Sequence, residues 1–492
     1  MQSDNLINLK KNDSTSKEKF NHGLPVISKY LIPITWLVFL SCLSYIIYFF
    51  PNLPQWQISG AFEINGLSIV IWTVVTFFSA IVQTYSASYM KGFKKQNTFL
   101  LTCLLFSISV MFFVASSHVA LLLLFWLSMG ILMSKLIGIN KEWNEAKQAA
   151  SCARKNYFVS ALFLSIGVLL LAFQSDAYTI NEILSKIDEL PVYVNIIASV
   201  CIIVAALIQS AIFPFHKWLL SAMTSPTPAS ALMHAGFVNG AGILLAIFAP
   251  LLFKADILLL IFIIGGVTAI ISQFTKLLQV NVKQKLACST SAQMSFMILQ
   301  CGLGFFSAAI THLILHGFYK AYLFLSAGEE IENSAPKNAD KIVLKPLQTL
   351  FILVTSALGG VLFAIITGKG TAFDSGLFLT FIVAITVGQV TYNIINKSSL
   401  SSAKKLIVLP ILIIAGITFY GLCFNGVTLL MSDMAFTNTP VELTSVHIGF
   451  GVIFLIAFYI MLFGIYRKIP WLYVKLLNNS QPYGKSILSF KN

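Results

Sequence analysis

Apolar residues fill this chain in blocks of about twenty, and each block ends in a short polar or basic stretch. As a helix, a block of that length crosses a hydrocarbon core about 30 Å thick. The ten-residue alternating segments of a membrane β-barrel do not occur. The pattern predicts fourteen transmembrane helices, near residues 30–50, 64–86, 98–115, 119–138, 156–174, 193–213, 229–250, 256–275, 286–302, 305–325, 347–367, 376–395, 406–424 and 446–466. The predicted fold class is an all-α polytopic membrane protein.

One region breaks the pattern. In residues 209 to 242, QSAIFPFHKWLLSAMTSPTPASALMHAGFVNGAG, Pro214 interrupts one span near its end, and Pro226 and Pro228 bracket the start of the next. A proline inside a helix removes a donor and clashes with the preceding turn, whereas in the first turn it is tolerated. Freed backbone groups survive in a membrane only where they are buried in protein or line a wet cavity. The stretch reads either as a proline-punctuated loop or as a broken helix along a path. His234, six residues into the following apolar span, points to the second reading.

Composition sharpens the class. Of 492 residues 57% are hydrophobic and 10% charged, against roughly 25% charged in soluble domains. The net charge of +14 sits on lysines and arginines scattered over short loops, not on one aromatic-interleaved face, so nucleic acid is not an expected partner. With the N-terminus inside, inner segments hold 27 of the 32 basic residues, outer loops hold Lys186, Lys254 and Lys369, and Lys135 and Lys320 fall within helices. The positive-inside rule then puts both termini in the cytoplasm. The expected layout is a cytoplasmic tail over 1–26, a transmembrane domain over 27–468 and a second cytoplasmic tail over 469–492. No loop is long enough to bury a core of its own, so aqueous chemistry is expected in a partner subunit. The inner-loop segments 139–155 and 327–345 are candidate docking surfaces by side and polarity. Seven cysteines stand singly, with no Cys/His cluster at zinc spacing, and no cofactor or metal is expected in this chain.

The chemistry concentrates in residues 311 to 328, THLILHGFYKAYLFLSAG, where His312, His316 and Lys320 recur every fourth residue. A step of four drifts about 40° around a helix and rises about 6 Å, so the three side chains form one stripe. A lysine near the bilayer centre costs at least about 2.5 kcal/mol on insertion scales, which sends it to the bundle interior or to water. Desolvation and the near-neutral titration of histidine suit such a stripe to passing protons. The plainer alternative is a set of buried polar residues that only tie helices together. His234, framed by Asn239 and the glycines at 236, 240 and 242, is a further candidate; Lys135 reads as a snorkelling side chain and Lys276, Lys283 and Lys285 as topogenic. Acidic residues are nearly missing from the spans: Glu63 and Asp256 stand at outer helix mouths, Glu329 and Glu330 at the inner end of the tenth helix.

Four segments in order, NGLSIVIWTVVT, FPFHKWLLSAMTSPTPASALMHAG, NVKQKLACSTSAQMSFM and THLILHGFYKAYLFLSAG, resemble the antiporter-like membrane subunits shared by respiratory complex I (its subunit 5) and the multi-subunit Mrp cation/proton antiporters. The resemblance covers roughly residues 64–330. It implies an inverted-repeat bundle containing a broken helix, with a proton path of buried lysines and histidines. Carried over by position, His234 matches the family histidine after the PTP turn, and His312, His316 and Lys320 match its HxxxHxxxK helix. Gln209, where the family has a pathway lysine, and His216, in the FPFH turn, complete the candidate ion path. Leu127 stands where the family has glutamate, and Ala161 and Leu164 where it has arginine and aspartate.

The segments ARKNYFVS, HAGFVNGAG, MSFMILQCGLG and GFYKAYLFLSAG look more narrowly like the DabB branch, the membrane subunits of Dab inorganic-carbon transport complexes. This implies a bacterial cytoplasmic-membrane subunit that conducts H⁺ or Na⁺ to drive a DabA-like zinc partner, the zinc and the catalysis belonging to that partner. An Mrp-like antiporter and a passive anchor for the partner are the alternatives.

Overall fold

The computed structural model describes residues 26–327, 346–397 and 402–484; the expectations for residues 1–25, 328–345 and 485–492 lie outside the described residues. In chain order the helices are α1 (Val26–Phe49), α2 (Gly66–Tyr89), α3 (Gln96–Ala115), α4 (Val119–Ile137), α5 (Asn144–Ser175), α6 (Ile180–Ser185) and α7 (Val192–Gln209). Then follow α8 (Lys217–Ser221), α9 (Thr227–Ala235), α10 (Gly240–Ile247), α11 (Ala249–Lys254), α12 (Leu258–Leu277), α13 (Val282–Gly302) and α14 (Phe306–Leu325). The last are α15 (Pro346–Thr367), α16 (Ser375–Lys397), α17 (Ser402–Leu430), α18 (Ser445–Leu462), α19 (Ile465–Lys468) and α20 (Pro470–Asn479).

Eleven helical spans among the described residues are long and apolar enough to cross a membrane, α9 and α10 counting together as one. The chain is a polytopic membrane protein, and its predicted all-α class holds. Helices α13 and α14 have the length, 21 and 20 residues, but carry serines, glutamines, histidines and lysines. Such helices sit in a bilayer only with that face turned inward, and both are largely buried. Helix α18, 18 residues long, is the other predicted span outside the eleven.

Three differences from the sequence reading have physical causes. Helix α5 begins twelve residues before its apolar block, because NEAKQAASCARK is rich in strong helix formers and buries Ala146, Ala149 and Ala153 at helical spacing. The span expected to run unbroken over 229–250 is cut at Gly236, whose backbone leaves the helical region (φ −121, ψ −63), and resumes at Gly240 after the turn Phe237–Asn239. A short antiparallel hairpin, β1 (Trp56–Ile58) with β2 (Phe62–Ile64), precedes α2.

Alternate loops gather at opposite ends. At one end, bridges join Phe62 to Ser116, His118 to Thr179, Phe305 to Asn438 and Asp374 to Glu442. At the other, the start of α5, the α8 turn, the start of α13 and residues 481–482 line one pocket. The broken α9–α10 span is central, 89% of it buried, whereas α1 lies at the periphery with 11% buried. Helices α12 and α13 touch backbone to backbone: a Cβ on Gly302 would stand 2.4 Å from the Phe262 nitrogen, and one on Gly265 2.7 Å from the Leu299 nitrogen. Small residues permit such contacts between membrane helices.

Candidate ion-path site

The two breaks are tolerated because side chains from other elements take up the freed carbonyls. Past the end of α7, Ala211 adopts a left-handed φ of 54°, and its carbonyl accepts from Ser291 Oγ at 3.0 Å. Trp218 Nε1 donates to the Ile208 carbonyl at 2.9 Å, and Ser160 Oγ to that of Ala205 at 2.8 Å. At the second break Asn239 Nδ2 donates to the Ala235 carbonyl at 2.6 Å, and Ser210 Oγ donates to that of Val238. Buried backbone is thereby satisfied without a continuous helix.

The break lets α9 end against α14. A Cβ on Gly317 would meet the Phe78 ring at 2.7 Å and the Ala235 carbonyl at 3.1 Å, so only glycine admits this approach. His234, in the last turn of α9, is fully buried and stacks on Phe324 of α14, with centroids 4.3 Å apart and planes at 15°. Neither of its ring nitrogens has a hydrogen-bond partner. On α14, Lys320 is fully buried, and Nζ donates to the Leu286 carbonyl of α13 at 3.3 Å. Among the described residues no carboxylate pairs with it; the ion pair found there joins Lys254 to Asp188 at 2.7 Å. One turn up, buried His316 has two unpartnered nitrogens. His312, half-buried, stacks on it at 6.2 Å and 22° and leaves Nε2 unpartnered. His316 and Lys320 stand four residues apart on one face of α14, and His234 stacks on the same helix at Phe324.

Two sequence candidates lie apart from the stripe. Gln209, the last residue of α7, is buried with both amide atoms unpartnered and packs by Gly240, near Trp126. His216 lies in the turn after α7, where Nε2 and the Asn479 carbonyl are 2.7 Å apart, so the C-terminal segment engages its ring. Burial holds its pKa below the ordinary histidine value, partly offset by that bond. Of the departure positions, Leu164 is fully buried and Leu127 and Ala161 are half-buried.

Lys283, read from the sequence as topogenic, sits at the start of α13, where its Nζ donates to the Ser225 carbonyl at 2.9 Å. It stands three residues before Leu286, the residue that holds Lys320. Among the described residues no three His, Cys, Asp or Glu side chains converge as metal ligands, and the seven cysteines are free. At the opposite end, Glu63, Asn65, Asp188 and Asp433 line a pocket of about 530 Å³. Within it Asn181 bonds to Glu63, and Asp433 accepts from the Gly66 nitrogen at 2.9 Å.

Residues 116–361 match the family model for the NADH:quinone oxidoreductase/Mrp antiporter transmembrane region, and residues 50–100 that for the N-terminus of complex I chain 5. The probable inorganic carbon transporter subunit DabB1 of Halothiobacillus neapolitanus is 30% identical over 439 residues, covering 82% of this chain and 78% of its own length. The probable inorganic carbon transporter subunit DabB of Hydrogenovibrio crunogenus is 27% identical over 390 residues, with 77% and 73% covered. In the solved Mrp complex from Dietzia sp. DQ12-45-1b, one chain superposes with a TM-score of 0.58 at 20% identity, covering 90% of this chain and 55% of that one; this likeness speaks to the fold alone. With half its length in the family model and a 30% identical relative of which it covers 78%, this chain belongs to the antiporter-like membrane subunits of complex I and Mrp type, in the DabB branch.

Proposed function

We propose that the chain is the ion-conducting membrane subunit of an inorganic-carbon transport complex. In this reading it passes protons, or Na⁺, along Lys320, His316, His312 and His234 to drive a DabA-like zinc-containing partner. The observation that carries the reading is Lys320, fully buried on a neutral carbonyl, with two unpartnered histidines beside it and, among the described residues, no carboxylate paired with it. A residue that served only to tie helices together would have its hydrogen-bonding capacity filled by the helices it joins. Here the polar atoms are left open in a row, the arrangement a relay through water needs. In this reading Lys283 extends the row toward the end expected to face the cytoplasm. The partner docks on that same end, where α5 extends twelve residues beyond its apolar block.

The transport reading draws on the relatives' names and the family, the ion path on the buried stripe. Co-expression with the DabA-like partner is expected to restore growth in air to a bacterium lacking carbonic anhydrase, and an uncoupler should abolish the carbon uptake. Uptake that persists after the gradient collapses would leave the chain a passive anchor.

A further inference from the structure

On the side of the stripe that carries His312 and His316 lies a chamber larger than a relay of protons requires. It measures about 470 Å³ and lies between α12, α13 and α14 on one side and α16 and α17 on the other. Its polar lining is built from four glutamines, 273, 293, 300 and 389, with His312 and His316 and the hydroxyl residues Tyr319, Thr386 and Tyr420. Four of these residues' atoms are buried without a protein partner, namely Gln300 Oε1, His312 Nε2 and both nitrogens of His316. The rest of the lining is mostly apolar, including Phe296, Phe363, Leu379 and Phe454. Volume, apolar walls and a few convergent hydrogen-bonding groups are the attributes of a small-molecule site.

Two features define the occupant. No Asp, Glu, Lys or Arg lines the chamber, so an ion would be desolvated there without a counter-charge; the guest is uncharged. Tyr319, 57% exposed, and Thr386, also exposed, are lining residues in the interiors of α14 and α16. The opening is therefore at mid-helix, onto the surface that faces lipid, and the guest arrives from the membrane phase. We infer that this chamber is a binding site for an uncharged amphiphile dissolved in the bilayer, with its hydrogen-bonding head at Gln300, His312 and His316 and its apolar body along Phe363, Leu379 and Phe454.

The test uses the full chain in proteoliposomes and a diazirine-bearing octanol as the probe. Photolabelling is expected to map to peptides of α13, α14 and α16, to saturate, and to be displaced by excess unlabelled octanol. Val383→Trp, which fills the chamber from α16, should abolish that labelling, and Gln300→Leu should weaken apparent affinity about fivefold, the loss of one neutral hydrogen bond. Non-saturable labelling spread over the lipid-facing helices, or labelling equal in wild type and both folded variants, would mean a chamber that holds only water and would overturn the site. His312 and His316 also belong to the proposed path, so octanol is expected to inhibit carbon uptake in wild type and not in Val383→Trp. That arm alone rests on the proposed function: saturable labelling without inhibition would remove the two histidines from the path and leave the site standing.

Discussion

Replacing Lys320 by methionine separates a functional amine from a structural one. Methionine nearly matches the length and volume of the lysine stem, and shape-conserving swaps in a core usually cost less than about 1.5 kcal/mol. Removing an intramembrane lysine relieves about 2.5 to 3.5 kcal/mol on insertion scales. Against this stands the bond to the Leu286 carbonyl, about 1.5 to 3 kcal/mol for a charged donor. That carbonyl is not orphaned by the change, because Thr290 Oγ1 also donates to it at 3.0 Å. Subtracting the lost bond from the relief leaves about 0.5 to 1 kcal/mol of stabilisation, accompanied by loss of carbon-uptake rescue. Alanine is the wrong probe, since truncating a fully buried long side chain opens a cavity at about 2 to 5 kcal/mol and confounds the two roles. Unfolding can be followed in detergent by maleimide labelling of Cys103 and Cys301, both inaccessible in the folded chain. A Lys320→Met variant that unfolds more readily than wild type, or one that keeps full rescue, would refute the reasoning.

The other predictions concern the frame around the stripe. Gly302→Ala puts a methyl 2.4 Å from the Phe262 backbone nitrogen, with no flexible side chain to yield, and should destabilise by about 2 kcal/mol in the same thiol assay. Asn239→Leu strips the donor from the Ala235 carbonyl at the second break and should cost about 1 to 3 kcal/mol, with rescue falling as His234 loses its seat. His216 has a folded pKa below its usual value, so the unfolded chain takes up the proton first. Stability is then complete above about pH 6.5 and falls on acidification at up to about 1.4 kcal/mol per unit until the folded ring also titrates. In His216→Gln that slope between pH 7 and 5 should flatten, measured by denaturant midpoints at the two pH values.

The fold was legible wherever hydrophobic runs decided it: among the described residues eleven of the fourteen predicted spans are long and apolar enough to cross a membrane. It was illegible where backbone detail decided it. The cut at Gly236 follows from GFVNGAG permitting a turn that Asn239 and Ser210 then satisfy, and only tertiary partners make that turn cheaper than a straight helix. The start of α5 was hidden because its first three turns are set by propensity and buried alanines, not by apolarity. At the site, the spacing of His312, His316 and Lys320 announced one face. The neighbour that completes it, Leu286, contributes a carbonyl, which no side-chain pattern can reveal. The Lys283 bond to the Ser225 carbonyl was hidden for a similar reason, because charge counts report which side of a membrane a residue lies on and say nothing of what its amine touches.

The last described residues clasp the turn after α7: the Asn479 carbonyl meets His216, and the Tyr483 nitrogen donates to Ser221 at 2.8 Å. Those residues are synthesised after every described span, so the nascent bundle inserts with this turn still unfastened. A premature stop shortly before Asn479 would leave every described span in place and the seam at α8 open.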